Sequence, residues 1–171
     1  MGTREFMFAL LVSGFDAQDD RQVEAFYAHG FDDATVEDRG GLSVVTFYRE
    51  ACSPDAALWS AIDQLRGALP ACRVLRVDDQ LVNATDVAQM TGRTSESIRQ
   101  LAAGLRGPGG FPTPAGVVGK GVKVWRWAEV QAWLAANGVD AGADTLPVEV
   151  VAEANAEFVR HPVAHPEPAA H

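Results

Sequence analysis

The sequence lacks any apolar run of about 18 or more residues, so no segment is expected to cross a membrane as a helix. The apolar stretch Phe6–Val12 is too short for that. Acidic residues follow it where a signal peptide would carry a small-residue cleavage site, so it reads as a strand. Cysteine is scarce: Cys52 and Cys72 are the only two. They flank a predicted helix, Pro54–Leu69, that would be about 24 Å long. A disulfide needs Cα atoms within about 7 Å, so both are expected as free thiols in a reducing cytoplasm. Neither belongs to a CxxC pair, which argues against zinc. Positive charge is also short, with 14 Lys and Arg against 23 Asp and Glu and a net charge of −9.

The first 80 residues alternate element types. Phe6–Val12 reads as a central strand. Gln18–Ala28 reads as a helix with Val23, Phe26 and Tyr27 inward. Ala34–Asp38 and Leu42–Tyr48 read as strands around the Gly40-Gly41 turn. Ser53-Pro54-Asp55 is a helix start with a cap, a proline at the first position and an acidic first turn. Leu58, Ile62, Leu65 and Leu69 follow on one face, and Arg73–Val77 is the last strand. The order β-α-β-β-α-β predicts a ferredoxin-like sandwich, a fold that hosts unrelated functions. It is compatible with an ACT-like sensor, a dimerisation module or a small enzyme.

Val12-Ser13-Gly14-Phe15 looks superficially like an acylphosphatase. That chemistry wants a basic phosphate loop and a positioned asparagine. Here no Asn precedes Asn83, and the loop carries Asp16, Asp19 and Asp20, which would repel an acyl phosphate. No enzymatic activity is expected. The three acids suit a helix N-terminus. As a calcium loop they lack the glycine and the bidentate glutamate. Neither a cofactor nor a metal ion is expected.

Residues 81–137 hold the one stretch with a mechanistic pattern. Asn83 and Asp86 fit a capping box, Val87 and Met90 give an apolar edge, and Gly92 falls where a left-handed C-cap belongs. Thr94 is a second N-cap, with Ile98, Leu101 and Ala102 buried and Ser95, Glu96, Arg99, Gln100 and Ala103 outside. Val117-Val118 and Val122–Trp125 flank Gly119-Lys120-Gly121 as a hairpin. Glu129, Val130, Trp133 and Leu134 then form a helix stopped by Asn137-Gly138. Taken alone, the two capped helices are equally compatible with an ordinary helical hairpin.

In the order and spacing of Asp86-Val87-Ala88, Gly92, Ser97-Ile98-Arg99, Phe111-Pro112-x-Pro114, Gly119-Lys120, Val124-Trp125 and Glu129-Val130-x-x-Trp133-Leu134, the chain resembles the MerR-like winged helix-turn-helix group, within it the excisionase and AlpA-type DNA-binding proteins. The resemblance covers about a third of the chain. It implies that helix 94–103 enters the major groove and wing 117–125 touches flanking backbone. Expected contacts to double-stranded DNA come from Arg93, Thr94, Ser95, Arg99, Gln100, Arg106, Lys120, Lys123 and Arg126. Two positions depart from the family: Arg93 stands where an aliphatic residue is usual, and Trp127 where a helix cap is. Charge agrees with the placement, since residues 83–136 carry six basic against three acidic side chains while both flanks are acidic.

Residues 138–171 read as a linker, a helix over 145–159 and a disordered Pro/Ala/His terminus. Val148, Val151, Asn155 and Phe158 line one side of that helix, which is marginal alone and needs a surface. That surface is its own chain, a second copy or another protein. The expectation is a cytoplasmic α+β transcriptional regulator: a ferredoxin-like dimerisation or sensing domain at 1–80, a winged helix-turn-helix at 81–137, and a homodimer on DNA. The alternative is a protein-interaction or ligand-sensing adaptor whose helix-turn-helix does not bind DNA.

Overall fold

A computed structural model describes residues 2–162. The protein is mixed α+β, with six helices and two sheets among the described residues. The first elements in chain order are β1 (Arg4–Ser13), α1 (Asp20–Ala28), β2 (Ala34–Arg39), β3 (Leu42–Ala51), α2 (Pro54–Ala68) and β4 (Arg73–Val77). There follow β5 (Leu81–Val82), α3 (Ala84–Thr91), α4 (Ser95–Ala102), β6 (Gly116–Val118), β7 (Val122–Arg126) and α5 (Trp127–Ala136). The chain closes with β8 (Asp144–Thr145) and α6 (Val148–Arg160). Two compact units result: residues 2–78 with 144–162, and Asp79–Ala143.

In the first unit the sheet order is β2-β3-β1-β4, with β8 beside β1. β1 runs antiparallel to β3 and β4 and parallel to β8, so the apolar Phe6–Val12 run is the central strand. Phe6, Phe8, Leu10 and Val12 alternate onto the face that packs with Leu58, Ile62 and Leu65 of α2 and Phe26 of α1. Phe26 and Phe31 stack at 4.3 Å, and Phe31 meets Phe47 edge-on. Arg49, whose side chain is only 12% exposed, ties β3 to the loop before β2 and to α2. It pairs with Asp33 at 2.7 Å, donates to Gln64 and Ser60, and lies over the Phe47 ring.

Local chemistry sets the helix starts. The Ser53 hydroxyl accepts from the Ala56 N–H, as a cap at the head of α2 should. α1 begins at Asp20 rather than Gln18, because Asp16 and Asp19 each hold a backbone N–H two residues on. The Gln22 amide and the Arg21 N–H keep the Asp19 carboxyl below the usual range. Tyr27, expected inside, is 44% exposed and meets Phe26 edge-on from the rim. Gly14 takes a left-handed φ of 69°, and a Cβ there would sit 1.9 Å from the Ala71 carbonyl oxygen. The Ser13-Gly14 turn is therefore fixed by close packing of two backbone segments. Both cysteines are free, and burial pushes the Cys72 thiol up to about 11, so it is no nucleophile near neutrality.

The segment expected as a separate tail belongs to the first unit. Leu146 and Ala154 are core residues, and Val150, Val151 and Phe158 pack against the same cluster. Phe158 approaches Trp59 of α2 at 6.4 Å. The apolar stripe of α6 thus finds its surface within its own chain. The expected polar member of that stripe, Asn155, has a specific task. Its amide accepts from the Val77 N–H at 2.8 Å and donates to the Val77 carbonyl at 3.0 Å, standing in for a further strand on β4. Asn155→Leu keeps the size of the side chain but leaves both backbone groups unpaired. It is expected to cost about 1–3 kcal/mol in urea unfolding and to remove hydrogen-exchange protection at Val77. The expected disordered terminus falls on residues 163–171, outside the described residues; His161 is exposed beside Glu157.

Candidate functional site

The second unit is built around Val87, Ile98, Leu101, Trp125, Trp127, Val130 and Leu134. α3 opens with a complete capping box. Asn83 Oδ1 accepts from the Asp86 N–H and Asp86 Oδ2 accepts from the Asn83 N–H, both at 2.9 Å. Gly92 ends α3 in the left-handed region at φ 67°. The Ala88 carbonyl accepts from both Gly92 and Arg93, so the chain turns sharply into α4. Thr94 caps α4 by accepting from the Ser97 N–H at 3.1 Å. Arg93 is accommodated in this turn, because its backbone N–H closes the cap and its side chain is exposed. Met90, expected on the apolar edge of α3, is 48% exposed; Ala84, Val87 and Ala88 form the buried face instead.

The hairpin forms as expected around Gly119-Lys120-Gly121, with Val118 opposite Val122 and Val117 opposite Lys123. Sequence reasoning missed a third strand. Leu81 and Val82 pair with Arg126 and Trp125, making a sheet of order β5-β7-β6. α5 has no side-chain cap, consistent with Trp127 at its start. Its first N–H is instead given to the Gln80 carbonyl at 2.9 Å. The Gly/Pro loop before the hairpin is tied down by indoles: Trp125 donates to the Pro112 carbonyl and Trp133 to that of Gly109. Phe111 packs edge-on against both rings.

The expected contact residues separate into groups. Arg99 of α4 and Lys123 of β7 line one cleft of about 600 Å³, with Asn83 and Thr85 at the head of α3. Ser95 is held near them, its hydroxyl 3.3 Å from that of Thr85. Gln100 donates to Glu96 at 3.3 Å, and Arg99 lies 3.9 Å from the same carboxylate. Arg93 and Thr94 sit exposed at the turn between the helices, Lys120 at the hairpin tip and Arg106 in the loop. Arg126 is half-buried, and strand alternation puts it on the face of β7 opposite Lys123 and Trp125. It is not part of the Arg99–Lys123 group.

Two residues outside the expected set belong to this surface. Glu96 sits among the exposed side chains of α4 beside Arg99 and Gln100, one turn further along, a spacing from which the contact could have been read. Thr85 reaches the cleft only through the way α3 and α4 cross, and no local pattern marks that. Among the described residues, no group of three or more His, Cys, Asp or Glu could hold a metal ion, and no helix is long and apolar enough to cross a membrane. No family model, no curated protein and no solved structure matches this chain.

Proposed function

We propose that this protein is a sequence-specific DNA-binding regulator, acting as a repressor, excision factor or DNA-binding antitoxin. On this reading Asp79–Ala143 is a MerR-like winged helix-turn-helix. The observation that carries it is the arrangement of α3, left-handed Gly92, capped α4 and a glycine-tipped hairpin, with Arg99 and Lys123 facing one cleft, in the one basic part of an acidic chain. α4 enters the major groove, where Ser95, Arg99 and Gln100 face base edges or phosphates. Lys120 and Lys123 act on the adjoining backbone. On the same reading the first unit, with its sheet order β2-β3-β1-β4, is a ferredoxin-like sandwich that serves dimerisation or sensing. One module with so small a positive charge binds weakly, so two copies act on a repeated site. β2 supplies the edge for self-association, because Asn155 already occupies the edge of β4.

Lys120 and Lys123 give the test of the wing. Replacing both with Ala is expected to weaken binding to unlike duplexes by a similar factor. The slope of log affinity against log salt should fall by roughly 1–2 units, about one for each lost phosphate contact. An unchanged slope would restrict the hairpin to a structural role. A second reading has its own observation. Val117, Val118 and Val122 are between 48% and 62% exposed, an apolar wing that suits a protein partner better than phosphates. The adaptor alternative gains if polar replacement of these valines leaves DNA affinity unchanged and the lysine pair proves silent.

A further inference from the structure

The cleft that holds Arg99 and Lys123 has a feature that DNA contact does not call for: a mainly apolar lining. Its walls come from three elements. Ala84 and Thr85 of α3, Ala102 and Ala103 of α4, and Val122 and Trp125 of β7 enclose about 600 Å³. That volume falls in the range of small-molecule sites, about 300–1,000 Å³. Three of its wall positions are alanines, which contribute small apolar side chains. Trp125, buried in the core and held by its bond to the Pro112 carbonyl, backs the cleft from below. Arg99 and Lys123 are the charged residues of the lining, and no acidic side chain lines it, in a chain with 23 acids.

We infer that this cleft binds a small aromatic organic anion, with its ring against Ala102, Ala103 and Val122 and its carboxylate or sulfonate between Arg99 and Lys123. Charge complementarity sets the sign of the ligand, and the apolar lining calls for an apolar body beside the charge. Such a ligand occupies the two cations assigned above to DNA, so it would release DNA from the module. Only that consequence rests on the DNA-binding reading; the binding site itself does not.

The experiment titrates the full-length protein with naphthalene-2-sulfonate and follows backbone amides by NMR, with neutral 2-naphthalenemethanol as the control. Saturable shifts are expected at Ala102, Ala103, Val122 and Lys123, with affinity for the neutral compound about tenfold weaker, the effect of one lost charge interaction. Lys123→Gln, at an exposed strand position, should remove most of this preference without changing the spectrum elsewhere. Ala102→Leu should weaken both compounds by partly filling the cleft. Absence of saturable shifts, shifts confined to other surfaces, or equal affinity for the two compounds would each overturn the inference. DNA binding measured separately on the same sample distinguishes this outcome from failure of the regulator reading.

Discussion

Removal of residues 144–171 is expected to unfold the first unit, not merely to shorten the chain. The deletion takes Leu146 and Ala154 out of the core, strips Val150, Val151 and Phe158 from its flank, and removes β8 from beside β1. It also uncovers the edge of β4 by removing Asn155. Truncation of a single large core side chain typically costs about 2–5 kcal/mol. Several lost together rival the whole stability of a domain, about 5–15 kcal/mol. Urea unfolding followed at Trp59, the one tryptophan of the first unit, should show the midpoint collapsing toward zero denaturant. Amides of β1 and β4 should exchange freely. A truncated protein as stable as the full chain would show α6 to be dispensable. Ending the chain at 137 is a poorer experiment, because it also removes Val139 and Ala141 from the second core and the carbonyls that accept from Gln131.

The second large effect is expected at Arg99. Its side chain is exposed on α4, opposite the buried Ile98 and Leu101, and pairs loosely with Glu96 at 3.9 Å. Arg99→Ala should therefore leave the fold intact. Loss of a guanine or phosphate contact is worth about 1–3 kcal/mol, or roughly 5- to 150-fold in affinity. Fluorescence anisotropy on a fixed duplex, with circular dichroism as the folding control, reads the result. Unchanged affinity would remove Arg99 from the interface.

How much of this was legible in the sequence depended on the range of the interaction. The caps at Ser53, Asn83 and Thr94 and the left-handed Gly92 are local chemistry, fixed within four residues, and the structure forms each of them. The alternation of Phe6, Phe8, Leu10 and Val12 was equally readable, because a strand buries every second residue. Long-range pairings left no such mark. β8 is two residues, Asp144 and Thr145, with no apolar pattern, and it pairs with Phe6 and Met7 of β1, beyond the stretch that β4 covers. Asn155 read as one member of a helix stripe; nothing local indicates that its amide completes the bonding of Val77, 78 residues away. Spacing also misplaced Tyr27 and Met90. Each lies one step off its helix's buried arc, where a phenol or a flexible thioether is readily left at the surface. The candidate site divides the same way. Arg99, Gln100 and Lys123 follow from helix period and hairpin alternation, whereas Thr85 and the cleft itself depend on how α3, α4 and β7 pack.

The central claim is that Asp79–Ala143 reads DNA sequence, and selection of bound duplexes from a random library by the full-length protein tests it most directly. The expected result is enrichment of one short motif, recurring as a repeat, that is lost or relaxed at one position with Arg99→Ala. Recovery of unenriched sequence by both proteins, or of nothing at all at physiological salt, would contradict it.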